Sequence, residues 1–218
     1  MNQRILVINP NSNTGVTAAL DRVVASLRFA GGPEIACVTL EEGPLGIETQ
    51  RHVDQVVSPL CAMIAREDNA SAAFVIACFG DPGLDSAKEI TARPVFGICQ
   101  AGVTTALNHG EKVGILTNIA ADVNPGMRHM RTLGLESRIA GIEPIGIPVT
   151  GLDEAEPSRR ALIDAALRLK DKGAEVLITG CAGMTPYKGD IEAASGLVVI
   201  DPTHAAVAMA LAAVCATA

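Results

Sequence analysis

Short, uninterrupted apolar runs recur along this chain, and each opens into a loop carrying Gly, Pro or Asn. Ile5-Leu6-Val7-Ile8 runs into Asn9-Pro10-Asn11-Ser12, and Phe74-Val75-Ile76-Ala77-Cys78 into Phe79-Gly80-Asp81-Pro82-Gly83. Leu177-Ile178-Thr179-Gly180-Cys181 runs into Ala182-Gly183-Met184. A strand with no polar face must be buried on both sides, the situation of a parallel sheet covered by helices. Between the runs, apolar residues recur at helical spacing, as in Val16, Leu20, Val23, Val24 and Leu27, or Leu162, Ala166 and Leu169. The pattern predicts strands over residues 4–8, 35–40, 72–78, 94–99, 112–116, 175–179 and 197–200, with another inside 139–147 interrupted at Pro144. Helices are expected over 16–27, 53–65, 84–91, 101–108, 127–133, 158–172 and 203–215, the first capped by Asn13 or Thr14. The fold class is therefore α/β with mainly parallel sheets.

Composition removes several function classes. With 218 residues, 49% hydrophobic and 19% charged, the chain is core-forming rather than disordered. Its 17 basic and 24 acidic residues leave a net charge of −7, so it offers no counterion-releasing surface and no nucleic-acid partner is expected. Aromatics at 2% also leave no base-stacking platform. The longest apolar run, 205–216, falls short of the roughly 20 residues that span a bilayer, so it is expected as a buried terminal helix and no membrane partner is expected. The run 5–8 is too short for a signal peptide, which points to a cytoplasmic protein with reduced thiols. The six cysteines form no C-x-x-C pair and have no His at ligand spacing, so no metal is expected. The phosphate-binding, dinucleotide-binding and nucleophile-elbow glycine motifs are absent from the sequence.

The two cysteine-bearing runs belong to an internal repeat. Val95 lies 17 residues after Cys78, as Val198 does after Cys181. Thr104-Thr105-Ala106-Leu107 then corresponds to Val207-Ala208-Met209-Ala210 at the same offset of 103, while Ile8-Asn9 matches Leu116-Thr117 at an offset of 108. The repeat predicts two pseudo-symmetric lobes. Residues 1–110 would carry Cys78 and 111–218 would carry Cys181, the boundary falling near Gly110-Glu111 and the terminal helix able to pack back on the first lobe. Ligands of open parallel sheets bind beyond the carboxyl ends of strands. Both thiols are expected there, pointing from opposite sides into an interlobe cleft.

Two opposed thiols suit one reaction. Inverting a stereocentre by proton transfer needs a base on one face and an acid on the other. Cys, with an ordinary pKa of about 8.5, serves when helix N-termini or nearby donors stabilise its thiolate. Gly80, Gly83 and Gly183 permit close approach of backbone N–H groups. Cys37 and Cys215 are expected in the core, Cys99 at a strand end in a structural role, and Cys61 on the apolar side of a helix. His52, His109 and His129 are expected as solvated side chains. His204 opens a helix at the functional end of the sheet, and Tyr187 follows the Cys181 loop, either closing a pocket or capping a helix.

Val7-Ile8-Asn9-Pro10-Asn11-Ser12, Ala77-Cys78-Phe79-Gly80-Asp81-Pro82-Gly83-Leu84 and Gly180-Cys181-Ala182-Gly183-Met184 together resemble the hydantoin/allantoin racemase branch of the aspartate/glutamate racemase superfamily. The resemblance covers nearly the whole chain, more weakly over 120–157. It implies two Rossmann-like lobes and a cofactor-independent, two-base racemase, with Cys78 and Cys181 as the catalytic pair. It also implies that Asn9, Ser12, Phe79, Thr117, Ala182 and Gly183 line the substrate site, joined by the adjacent Gly80 and Asn118. A homo-oligomer is implied as well. Acidic-amino-acid racemases of the superfamily follow a catalytic Cys with Asn and Ser or Thr, which hold a carboxylate. The successors here, Phe79-Gly80 and Ala182-Gly183, favour a 5-substituted hydantoin-like ring, hydantoin or allantoin, held by backbone groups. Gly80 stands where many hydantoin racemases carry a second Asp, and Asp201-Pro202-Thr203-His204 is more polar than the corresponding stretch of the family. The alternatives are an aspartate/glutamate-type racemase, a maleate isomerase or a decarboxylase on the same scaffold, or, outside catalysis, a small-ligand-binding regulatory protein.

Overall fold

A computed structural model of the chain describes residues 4–148, 151–152 and 155–216. In chain order its elements are β1 (Arg4–Asn9), α1 (Thr14–Val24), β2 (Glu34–Thr39), α2 (Gln50–Glu67), β3 (Ala73–Ile76), α3 (Leu84–Ile90), β4 (Val95–Gly97) and α4 (Ile98–Ala106). The same alternation resumes with β5 (Val113–Thr117), α5 (Val123–Thr132), β6 (Ile139–Pro144), α6 (Ala155–Asp171), β7 (Val176–Thr179), α7 (Lys188–Ser195), β8 (Val198–Ile200) and α8 (Pro202–Ala216). Two compact units result: residues up to Ala101 together with those from Thr203 onward, and Gly102–Pro202.

The first unit holds a parallel sheet of order β2-β1-β3-β4, and the second a parallel sheet of order β6-β5-β7-β8. The central registers repeat as well. Ile8 pairs with Ile76 where Leu116 pairs with Thr179, but Phe74 pairs with Val95 where Leu177 pairs with Val199, one residue further along. The central pairing follows the offsets of 108 and 103 counted along the chain, whereas the outer strand β8 is displaced from its counted match by one residue.

Burial explains why these runs are strands. Ile5, Val7, Ile8, Phe74, Val75 and Ile76 are wholly inaccessible, each such side chain contributing about 1.5–3 kcal/mol of transfer free energy. In the first unit, α2 lays Val56, Leu60, Met63 and Ile64 against Leu6, Ile8, Phe74 and Ile76. In the second, α6 does the same with Leu162, Ala165, Ala166 and Leu169 against Leu116, Leu177 and Val199. Caps set the helix starts: the Asn13 side chain accepts the Gly15 N–H, and the Thr49 hydroxyl accepts that of His52.

Several expectations are corrected. Neither Cys78 nor Cys181 ends a strand; each lies two residues beyond one, past β3 and β7 respectively. Cys99 is not at a strand end but in the first turn of α4, which begins at Ile98 rather than near residue 101. The cause is Asp81, whose carboxylate accepts the Cys99 N–H at 2.8 Å and the Gln100 N–H at 2.8 Å and so holds the first turn of a helix there. The helix α7 is absent from the hydrophobic pattern, being short and anchored mainly by buried Ile191. Cys215 is exposed rather than in the core, because the last turn of α8 buries Val214 and leaves Cys215 and Ala216 in solvent. Cys37 is half-buried rather than in the core, and His52 and His129 are half-buried instead of solvated. No helix among the described residues is long and apolar enough to cross a membrane.

Candidate active site

Within each unit the loops that follow the two central strands lie side by side, because those strands are neighbours. In the first unit the Ala77 N–H donates to the Ile8 carbonyl at 2.8 Å, carrying the β1–β3 pairing one residue past the strand. The Asn9–Asn13 loop and the Cys78–Gly83 loop therefore emerge together at the carboxyl end of the sheet. In the second unit the Gly180 N–H donates to the Leu116 carbonyl, also at 2.8 Å, and places Thr117-Asn118 beside Cys181.

Asn9 is wholly buried, and its side chain is spent on the loop itself. Its amide donates to Asn11 Oδ1, the Asn13 carbonyl and Thr17 Oγ1, and its oxygen accepts the Asn11 N–H. It shapes the turn that presents Ser12, whose N–H is tied to the Pro44 carbonyl at 2.9 Å. Cys78, Phe79 and Gly80 are half-buried in the next loop. The Asp81 N–H turns back to the Cys78 carbonyl at 3.0 Å, with Asp81 in the left-handed region at φ 48°. Gly97 must lack a side chain here, since a Cβ would sit 2.2 Å from Asp81 Cγ.

In the second unit Thr117 donates its hydroxyl to Asp122 Oδ2 at 3.0 Å, and the Ile119 N–H donates to the same oxygen at 3.2 Å. Asn118 is buried and spans to the Ile147 carbonyl at 3.1 Å. Cys181, Ala182 and Gly183 are half-buried. The Met184 N–H donates to the Cys181 carbonyl, and the Gly183 N–H reaches the Cys181 sulfur. Burial nevertheless pushes the Cys181 thiol up to about 11; the Gly183 contact opposes this, and the Asp122 and Asp201 carboxylates add to it. Cys181 is thus a thiol that holds its proton at neutral pH. Burial raises the Cys99 thiol too, well above its usual range, and Cys37 is pushed up to about 11 for the same leading reason.

Tyr187 stands at the N-cap position of α7, but its side chain makes no cap hydrogen bond. It is buried in the second unit's core, with its hydroxyl donating to the Leu152 carbonyl at 2.9 Å. His204 is half-buried in α8. Three carboxylates were missed from the sequence. Asp81 sits in a motif already read as significant, Asp201 in a stretch noted only for its polarity, and Asp122 aligns with Thr14 at the repeat offset of 108, next to the Asn13 cap.

Two expectations about this site can be measured. First, iodoacetamide labelling of Cys181, read by peptide mass, is slow at pH 7.5 and accelerates toward pH 11, because the thiolate is the nucleophile. Asp122→Asn removes a raising charge and moves that rise to lower pH; an unchanged profile removes the electrostatic account. Second, Gly180→Ala destabilises by about 2 kcal/mol, because the new Cβ would stand 2.5 Å from the Leu116 carbonyl oxygen and backbone must move. Its counterpart in the first unit is already Ala77, so Ala77→Gly costs less in a denaturant titration.

Comparison with known proteins completes the picture. The Asp/Glu/Hydantoin racemase family model matches residues 5–210. A hydantoin racemase of Paenarthrobacter aurescens is 32% identical over 211 residues, covering 93% of this chain and 87% of that protein. Among solved structures, an allantoin racemase from Pseudomonas fluorescens superposes with a TM-score of 0.92 at 25% identity, covering 99% of this chain and 92% of that one. An allantoin racemase from Klebsiella pneumoniae gives a TM-score of 0.88 at 27% identity, covering 99% and 89%.

Proposed function

This chain belongs to the Asp/Glu/Hydantoin racemase family, a family of isomerases, and from that premise we propose that it racemises a 5-substituted hydantoin-like ring, hydantoin or allantoin, without a cofactor. Cys78 and Cys181 are its two proton carriers. The observation that carries this reading is their equivalence: each stands two residues past the carboxyl end of the corresponding strand, β3 or β7, in units of identical strand order.

The chemistry follows from the substrate class. In a hydantoin ring the hydrogen on the stereogenic carbon is flanked by a carbonyl, and its removal spreads charge onto that oxygen. One thiolate takes this proton from one face, and the other thiol returns a different proton from the opposite face. Cys181 enters the cycle as the acid, because burial and its two neighbouring carboxylates keep its proton in place. Backbone N–H groups of the two cysteine loops stabilise the developing enolate, the role of an oxyanion hole. Phe79, Gly80, Ala182 and Gly183 offer no ionic side chain to a free carboxylate, so a ring held by its amide edges fits better than an acidic amino acid. Asn9 acts through the loop it shapes, and Ser12, Thr117 and Asn118 stand at the same sheet ends. A cytoplasmic homo-oligomer goes with this reading.

Polarimetry across 5-substituted hydantoins, allantoin, aspartate and glutamate in deuterium oxide tests it. Rotation should decay for a ring substrate, with solvent deuterium entering the stereogenic carbon. Decay with aspartate or glutamate alone, or with none of the four classes, overturns the assignment.

A further inference from the structure

Cys99 has no part in the two-thiol chemistry, yet the fold sets it beside Cys78. The parallel β3–β4 register pairs Phe74 with Val95, Val75 with Phe96 and Ile76 with Gly97. Cys78 and Cys99 each stand two residues past that last ladder pair, one in the loop that leaves β3 and the other in the first turn of α4, at the ends of neighbouring strands. Parallel neighbours lie about 4.8 Å apart, and a disulfide forms between residues whose Cα atoms are about 4.4–6.8 Å apart. Asp81 ties the two residues together independently: its N–H donates to the Cys78 carbonyl at 3.0 Å, and its carboxylate accepts the Cys99 N–H at 2.8 Å. No disulfide links them in this structure. Their accessibility differs. Cys78 is half-buried, while Cys99 is only 1% exposed and out of reach of a dissolved oxidant. Neither residue that can match Cys99 in the repeat is a cysteine: the offset of 103 gives Pro202, and the observed β7–β8 register gives Thr203.

We propose that Cys78 and Cys99 form an oxidative modification site, in which Cys99 resolves a peroxide-oxidised Cys78 as an intramolecular disulfide. Hydrogen peroxide oxidises the Cys78 sulfur to a sulfenic acid and is itself reduced to water. The Cys99 sulfur then attacks the Cys78 sulfur. The S–O bond breaks, the leaving hydroxide takes the Cys99 proton, and a second water departs as the S–S bond forms. A thiol or dithiol reductant reverses the bond. The crosslink captures Cys78 before it takes up further oxygen, a step no ordinary reductant undoes. Loss of racemisation on crosslinking rests on the proposed role of Cys78; formation of the crosslink does not.

Treating the whole protein with stoichiometric hydrogen peroxide, followed by intact mass and non-reducing peptide mapping, decides the matter without reference to activity. The expected result is a loss of two hydrogens and a peptide pair joining Cys78 to Cys99, both reversed by dithiothreitol. In Cys99→Ala given excess peroxide, of which two equivalents are consumed and two waters formed, Cys78 should instead gain two oxygens that dithiothreitol does not remove. Wild-type protein in which Cys78 gains oxygen without crosslinking, pairs with another cysteine, or stays unmodified overturns the proposal, and that map suffices even if the variant folds poorly. Should the crosslink form while racemisation persists, the disulfide site stands and the catalytic role of Cys78 falls.

Discussion

Replacing Cys78 or Cys181 by serine should lower racemisation at least about 1,000-fold, within the range of a lost positioned acid or base and equivalent to about 4 kcal/mol of barrier. A serine hydroxyl keeps the volume and hydrogen-bonding capacity of the thiol, so the fold should survive. It cannot, however, become a base near neutral pH. The informative readout is α-proton exchange in deuterium oxide with each enantiomer taken separately. A variant that retains one thiol should wash deuterium into one enantiomer only, and the two variants should choose opposite enantiomers. The exchange that survives in Cys78→Ser depends on Cys181 and should climb with pH toward about 11, since burial and the Asp122 and Asp201 carboxylates hold that thiol protonated below this value. Normal racemisation in both variants, or exchange of the same enantiomer by both, removes the two-base mechanism.

Asp81→Ala should be the most damaging single substitution for stability outside the apolar core, at about 3 kcal/mol. The side chain is 5% exposed and accepts two backbone N–H groups from the first turn of α4 at 2.8 Å each. Truncation leaves both donors unpaired, and such losses cost about 1–3 kcal/mol apiece where water cannot replace the partner. Alanine also tolerates the left-handed backbone at φ 48° less well than aspartate does. For a chain of this size the expected fall in Tm is about 6–12 °C by calorimetry. Asp81→Asn keeps one acceptor oxygen and should lose roughly half as much. If alanine and asparagine are equally mild, the carboxylate is not what starts α4. The second repeat shows how the requirement can be removed. Position 184, which matches 81 at the offset of 103, is the apolar Met184, and α8 opens on Pro202, a residue with no N–H to satisfy.

Much of this organisation is legible in the chain before any coordinates. Each buried strand is a local composition, an apolar run with no polar face, and its partner in the repeat is found by counting. The offsets of 108 and 103 match the observed pairings of Ile8 with Ile76 and Leu116 with Thr179, while the outer strands differ by one residue, Phe74 pairing with Val95 but Leu177 with Val199. The start of α4 was misplaced because its signal is not local: the cap comes from 18 residues before Cys99, across the end of the sheet. Tyr187 was ambiguous for the same reason, its partner being the Leu152 carbonyl 35 residues earlier.

Composition and periodicity thus determined the α/β class, the duplication and the correspondence of Cys78 with Cys181 within the repeat, since these depend on which residues recur and at what interval. Tertiary structure alone decided what surrounds each sulfur. Burial, with Asp122 and Asp201 adding to it, keeps the proton on Cys181, and Asp81 ties Cys99 to the Cys78 loop. Desolvation and Coulomb interaction act through space, between groups that a linear chain separates by any number of residues.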